Sequence, residues 1–185
     1  IDNNIFNIIS FSIKETLKYI KFFKFKPALI FISSASVYGN SIKTGVKRPI
    51  SNYGKHKILA ENSVISFTKK NKIKSIILRF FSIYGPGLKK QLIWDAICKF
   101  KKRKFIFSGN GNEVRSWMFV DDAIKLIIFS YNYLSFKPLI LNLSSGENIS
   151  VRMVLNKLLK ILKIKKKIIF NGNISKINPI YLSYE

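Results

Sequence analysis

The chain has 185 residues, of which 48% are hydrophobic and 14% aromatic, enough to bury the core of about one domain. This composition excludes a disordered tail, although 33 Lys and Arg against 9 acidic residues give a net charge of +24. One Cys and one His exclude a disulfide framework and a Cys- or His-rich metal site, so no metal is expected.

The predicted elements alternate between helices and strands. In chain order they are a helix over 5–22, a strand over 28–32, a helix over 53–70, a strand over 75–81, a helix over 89–103, short strands over 105–107 and 117–120, a helix over 123–134, a strand over 139–143 and a helix over 150–163. Asp121 and Asp122 are predicted to cap the fourth helix. The alternation predicts an α/β fold with a parallel sheet.

The excess of basic over acidic residues leaves a nucleic-acid-binding module as a remote alternative. Only five of the basic residues are Arg, the residue best suited to reading bases, and the Lys runs fall at the ends of separate predicted elements. A genome rich in A/T codons explains the lysines without such a partner. A membrane is not an expected partner either, because no apolar run reaches the about 18 residues that a spanning helix needs. With no visible signal peptide, the expected compartment is the cytoplasm.

The candidate chemistry lies on the second predicted helix and the strand before it. Tyr53 and Lys57 are four residues apart and therefore share one helix face. A nearby ammonium is expected to lower the pKa of the phenol, so that Tyr53 exchanges a proton with a sugar hydroxyl or keto group. Ser34, at the carboxyl end of the preceding strand, is placed to bind the same oxygen.

Five motifs in order resemble the extended short-chain dehydrogenase/reductases, and among them the NAD-dependent nucleotide-sugar epimerases and dehydratases. They are 33–39 (SSASVYG), 53–61 (YGKHKILAE), 78–87 (LRFFSIYGPG), 109–115 (GNGNEVR) and 119–123 (FVDDA), with 141–147 (LNLSSGE) resembling the strand that returns to the sheet.

The resemblance implies a role for each matching residue. Ser34, Tyr53 and Lys57 are expected to be catalytic, and Tyr53 and Lys57 also to hold NAD. Ser34, Ser82 and Arg115 are expected to bind a nucleotide-diphosphate sugar, with Arg115 on its diphosphate. The same resemblance suggests Asn7 as a structural Asn, and a homodimer as the state of the intact enzyme.

The resemblance also implies the fold and its division. Residues 1–87 are expected to form the C-terminal portion of a Rossmann-like sheet. Residues 88–185 are expected to form a small α/β substrate-binding region that returns one strand, at about 139–143, to that sheet.

Departures from the family pattern narrow the expected activity. Ser82 replaces a common Asn, and Ala35 and Ser36 replace the Asp and Glu that dehydratases carry. The expectation is therefore a nucleotide-sugar 4-epimerase acting in cell-surface polysaccharide synthesis, or alternatively a 4-ketoreductase. The glycine-rich cofactor motif does not occur in the 185 residues, so roughly 90 residues are expected to precede Ile1. An inactive, degenerate fragment is the third alternative.

Overall fold

The computed structural model describes residues 3–40, 45–174 and 179–182, the first eight of them as backbone only. Its helices are α1 (Asn3–Ile20), α2 (Asn52–Asn71), α3 (Gln91–Lys101), α4 (Val120–Ser130) and α5 (Val151–Ile161). Its strands are β1 (Leu29–Ser34), β2 (Ser75–Phe80), β3 (Ser82–Tyr84), β4 (Ile106–Phe107), β5 (Val114–Phe119), β6 (Leu139–Leu143), β7 (Asn148–Ser150), β8 (Ile169–Phe170) and β9 (Tyr181–Leu182). The α/β class predicted from the sequence is confirmed.

A parallel sheet of three strands, in the order β1-β2-β6, carries the first half of the fold. All six residues of β2 are buried because it is the central strand and helices cover both faces. Ile76, Leu78 and Phe80 pack with Met118 and Ala123 on the side of α4.

The opposite face of this sheet packs against α1 and α2. Ile77 of β2 meets Leu17 of α1 and Val64 of α2, in a cluster that is shielded from water. Side chains on a strand alternate between faces, so one buried strand serves both layers. Asn7 lies on α1, but its side chain is outside the described part of the chain.

A second sheet is built around β5. Strand β3 pairs with it in parallel, β7 pairs with it antiparallel, and the short β9 pairs with it near its start. Helices α3 and α5 close a separate core with the β4-β8 pair, centred on Phe100, Phe107 and Leu155. The domain boundary expected at residue 87 follows β3, whose partner lies in this second sheet.

Several element boundaries differ from the predictions. Helix α4 begins at Val120, so Asp121 and Asp122 lie in its first turn, where they favour the helix dipole, and the prediction that they cap the helix is wrong. Asp122 pairs instead with Lys125, one turn further on, at 3.2 Å. Strands β3, β7, β8 and β9 have only two or three residues each and were not predicted, whereas the two-residue β4 falls within the strand predicted over 105–107.

Candidate active site

Ser34 lies where β1 ends and a 3₁₀ turn, Ala35–Tyr38, begins. Its hydroxyl caps that turn by accepting a hydrogen bond from Ser36 N at 3.2 Å. Ser51 caps α2 in the same way, accepting from Gly54 N at 3.1 Å. The two caps place Ser34 and the first turn of α2 at the carboxyl edge of the sheet, the edge at which parallel α/β folds bind ligands.

Gly54 allows α2 to approach the 3₁₀ turn closely. A Cβ built at this position would lie 2.4 Å from the carbonyl oxygen of Ser36 and 2.9 Å from Cβ of Pro49. No side chain fits at those distances, so the glycine sets how near Tyr53 comes to the strand end.

The side chain of Ser34 lies close enough to the Tyr53 phenol to lower its pKa. The Tyr53 residue is 41% exposed, so it remains open to a ligand. Partial burial raises the pKa of the phenol above 10.0, and the nearby Ser34 side chain offsets only part of that rise. The expectation that the phenol pKa is lowered therefore does not hold in this structure.

Lys57 lies one turn after Tyr53 and is anchored to the strand. Its Nζ donates a hydrogen bond to the carbonyl oxygen of Ile32 at 2.9 Å and lies 5.8 Å from the centre of the Tyr53 ring. Burial lowers the pKa of Lys57, and the charge of Glu61 acts in the opposite direction. Tyr53, Ser34 and Lys57, predicted from the sequence, are thus brought together at one edge.

A buried charge pair lies directly behind these residues. The Glu61 side chain is fully buried and receives two hydrogen bonds from Arg79, from Nε at 2.8 Å and from Nη2 at 2.6 Å. Ser33, next to Ser34, donates a third at 2.6 Å, and Lys47 lies 3.4 Å away. Burial alone would raise the pKa of Glu61, but these hydrogen bonds and positive charges outweigh it and hold the pKa below its usual value.

The hydrogen-bond network continues from Arg79 to β6, the edge strand on the other side of β2 from β1. Arg79 Nη1 donates to the Tyr38 hydroxyl at 2.7 Å, and that hydroxyl donates to Oδ1 of Asn142 at 2.7 Å. The contacts join β2, the 3₁₀ turn and β6. Sequence reasoning assigned no role to Glu61, Arg79 or Asn142. The signal available was a carboxylate four residues after Lys57 and an Arg inside an otherwise apolar strand.

The two other predicted substrate residues belong to the second sheet. Ser82 begins β3, two residues beyond the end of β2, and pairs with Trp117 of β5. Arg115 of β5 donates through Nη1 to the carbonyl oxygens of Val114 at 2.7 Å and Ile180 at 3.2 Å. Burial lowers the pKa of Arg115, and the charge of Glu113 opposes that change. None of the described contacts joins Arg115 to Ser34, Tyr53 or Lys57.

The α/β fold, with polar side chains gathered at the carboxyl edge of its parallel sheet, is matched by a known protein family. The model of the NAD dependent epimerase/dehydratase family matches residues 13–143, and the chain belongs to that family.

Curated relatives carry epimerase names. The chain is 30% identical over 146 residues to a putative UDP-glucose 4-epimerase of Methanocaldococcus jannaschii, a match that covers 73% of this chain and 46% of that protein. It is 28% identical over 103 residues to an uncharacterized UDP-glucose epimerase of Bacillus subtilis, covering 52% and 32% of the two chains. The chain therefore spans between a third and a half of the length of these relatives.

Solved structures show the same fold. The UDP-glucuronic acid 4-epimerase of Bacillus cereus, in complex with UDP-glucuronic acid and NAD, superposes with a TM-score of 0.83 at 24% identity. The match covers 94% of this chain and 57% of that one.

The family depends on NAD, and the residues at the edge fit one end of that cofactor. A phenol hydroxyl and an ammonium on one helix face, Tyr53 and Lys57, are donors that suit ribose hydroxyls. Ser36 adds a buried hydroxyl oxygen without a hydrogen-bond partner beside them. These groups fit the nicotinamide end, where hydride transfer takes place.

No helix among the described residues is long and apolar enough to cross a membrane.

Proposed function

We propose that this chain carries the catalytic and substrate-binding part of an NAD-dependent nucleotide-sugar 4-epimerase. The cluster of Ser34, Tyr53 and Lys57 at the end of β1 is the observation that carries the proposal, with Ser34 capping the turn after the strand and Lys57 bonded to Ile32 O and 5.8 Å from the Tyr53 ring. It lies at the carboxyl edge of a parallel sheet, in a chain of the epimerase/dehydratase family.

Tyr53 is the acid/base of the proposed reaction. The C4 hydroxyl of the sugar gives its proton to the Tyr53 oxygen as C4 is oxidised to a ketone. Ser34 holds the same sugar oxygen by a hydrogen bond. The proton returns from Tyr53 when the ketone is reduced from the opposite face, which inverts C4.

Lys57 holds the cofactor side of the site. Its ammonium donates to Ile32 O and has further N–H groups free to bond a ribose hydroxyl. NAD, when bound, accepts the hydride from C4 and gives it back. The positive charge of Lys57, one turn from Tyr53, favours the phenolate form that the base step needs.

The turn after Ser34 favours epimerisation over 4,6-dehydration. Dehydration needs an additional acid and base, whereas Ala35 is buried and Ser36 has only a hydroxyl. Neither side chain moves a proton at neutral pH. An epimerase needs no further group, because a single Tyr both takes and returns the proton.

The test requires a complete nucleotide-binding half. We suggest joining residues 1–185 to the N-terminal half of the Bacillus cereus UDP-glucuronic acid 4-epimerase, and assaying the chimera beside the 185-residue chain. Each is incubated with NAD and, separately, UDP-glucose, UDP-N-acetylglucosamine and UDP-glucuronic acid. Proton NMR of the sugar then shows whether C4 is inverted.

The expected result is interconversion of C4 epimers by the chimera without net formation of NADH. A parallel incubation with NADH and a UDP-4-keto sugar tests the alternative, and consumption of NADH there without epimerisation of the three UDP-sugars supports the 4-ketoreductase instead. A chimera that binds NAD but transforms no sugar supports the degenerate alternative. A Tyr53→Phe chimera is the matched control for residual activity of the donor half.

We also propose that the intact enzyme is a homodimer that pairs through α1 and α2. A groove of about 790 Å³ runs between these helices, with Ile13 and Leu17 on one side and Leu59 and Phe67 on the other. Leu59 is 57% exposed on the helix that carries Tyr53. Sedimentation of the chimera tests this, because Leu59→Lys is expected to yield monomers, and Lys55→Glu, an exposed change on the same helix, to leave the dimer intact.

A further inference from the structure

The edge of the first sheet opposite Ser34 and Tyr53 carries a surface that the proposed function does not use. Here β1, β2 and β6 begin, preceded by segments 21–28, 69–74 and 131–138. Lys26 Nζ donates to the carbonyl oxygen of Asn71 at 2.9 Å, and Ser75 N donates to that of Ser135 at 2.9 Å. These contacts join the three segments into one surface, which we call the amino-edge surface.

The amino-edge surface is basic throughout. Its three segments contain no Asp or Glu. All of its lysines are exposed, and they are Lys21, Lys24, Lys26, Lys69, Lys70, Lys72, Lys74 and Lys137. A lysine cluster of this size is typical of protein surfaces that are attracted to anionic phospholipid headgroups.

Aromatic side chains project from the same surface. Phe22, Phe23 and Phe25 are 79%, 62% and 81% exposed on the turn between α1 and β1. Phe136 is 59% exposed, with Lys74 Nζ at 5.6 Å from its ring centre. Phenyl rings this exposed are unfavourable in water, and their mixture with lysines suits a lipid interface, where rings reach the acyl boundary while ammonium groups stay with phosphates.

The same features disfavour other occupants. Lys21 and Lys70 also line the groove of the proposed homodimer, but the exposed phenylalanines of the turn after α1 do not line it. A single-stranded nucleic acid favours a surface with Arg, whereas this surface has none.

We propose that the amino-edge surface docks this protein on an anionic phospholipid bilayer, with Phe22, Phe23 and Phe25 at the boundary between headgroups and acyl chains. Parallel strands run from this surface to the candidate active site, so the site faces the aqueous phase in the docked state. The expectation that a membrane is not a partner rested on the lack of a spanning segment, which peripheral docking does not need. The proposal is independent of the proposed epimerase activity.

Flotation of the 185-residue chain with extruded vesicles tests the docking, because only vesicle-bound protein rises and aggregated protein sinks. Phosphatidylcholine vesicles are compared with vesicles that contain about one-third phosphatidylglycerol, at about 0.1 M and about 1 M salt. Two triple variants remove the aromatic and the charged parts, Phe22→Ser/Phe23→Ser/Phe25→Ser and Lys21→Gln/Lys24→Gln/Lys26→Gln. Lys165→Gln/Lys166→Gln/Lys167→Gln removes the same charge from an exposed run elsewhere.

The expected result is flotation with anionic vesicles only, lost at high salt, with binding at least about tenfold weaker for both amino-edge variants and unchanged for the control. Thermal melts check that the variants stay folded. Flotation with neither vesicle overturns the proposal, as does an equal loss in the control, which would mean attraction by net charge alone. Tighter binding to a single-stranded oligonucleotide than to vesicles, insensitive to the Phe changes, would overturn it in favour of a nucleic-acid surface.

Discussion

Arg79 of β2 donates two hydrogen bonds to the carboxylate of Glu61 on α2, from Nε to Oε1 at 2.8 Å and from Nη2 to Oε2 at 2.6 Å, and both side chains are buried. Glu61 also accepts a hydrogen bond from the hydroxyl of Ser33, the neighbour of Ser34. One carboxylate therefore fixes α2 against β1 and β2 at once. We expect this pair to set the spacing between Tyr53 and Ser34, because it lies on the same helix, two turns after Tyr53.

Breaking the pair is expected to destabilise the protein strongly. Glu61→Gln leaves the buried charge of Arg79 uncompensated, and we expect the free energy of unfolding to fall by about 3–5 kcal/mol. Glu15→Gln, which removes the half-exposed partner of Lys18, is expected to cost less than about 1 kcal/mol. Urea unfolding measures both, and equal effects would contradict the role given to the buried pair.

The same pair predicts a dependence of stability on pH. The pKa of Glu61 is lower in the folded protein than its ordinary value of 4.5, so its stabilising contribution is fully present above that pH and is lost as pH falls through the folded value. The difference in stability between the wild type and Glu61→Gln should therefore be constant near neutral pH and shrink below about pH 4.5. Unfolding midpoints measured across the acid range test this, and a difference that grows in acid would refute it.

Loss of the Tyr53 hydroxyl should abolish most of the activity while sparing the fold. Tyr53→Phe removes the acid/base, and we expect the kcat of the epimerase chimera to fall by about 10²–10⁴. In the 185-residue chain, the ultraviolet difference spectrum between wild type and Tyr53→Phe isolates one phenol, which should titrate above pH 10.0 because burial raises its pKa. A titration below that value would show that the charge of Lys57 dominates.

A methyl group at Gly54 should displace α2 from the 3₁₀ turn. The new Cβ would lie 2.4 Å from the Ser36 carbonyl oxygen, so we expect Gly54→Ala to cost about 1–3 kcal/mol and to lower activity. At Gly45 a Cβ would meet nothing within 4 Å, and Gly45→Ala provides the matched control. Thermal unfolding of the two variants compares them directly, and similar melting temperatures would argue against the close approach.

Arg115 is expected to act on the diphosphate of the sugar nucleotide. In the chimera, Arg115→Ala should weaken nucleotide-sugar binding by at least about tenfold and leave NAD binding unchanged, since a guanidinium is a strong phosphate partner. Arg48→Ala, at an exposed position, is the control. Calorimetric titration separates the two ligands. A lower melting temperature with unchanged binding would instead mean that Arg115 only joins β9 to β5 through Ile180.

The sequence by itself was enough to predict the features that depend on neighbours along the chain. Apolar runs located β1, β2 and β6, and helical spacing placed Tyr53 and Lys57 on one face of α2. The strand end at Ser34 was predicted for the same reason, because a buried strand that stops at small polar residues shows in the local pattern. Residue periodicity reports whether a side chain is buried, and these predictions needed no more.

Only the tertiary structure decided which distant side chains meet. Arg79 reaches Glu61 across 18 positions, and Tyr38 reaches Asn142 across 104, because the strand order β1-β2-β6 brings their elements side by side. The same order gathers segments 21–28, 69–74 and 131–138, which are distant along the chain, into the amino-edge surface. The pattern of one segment contains no information on which segment packs beside it.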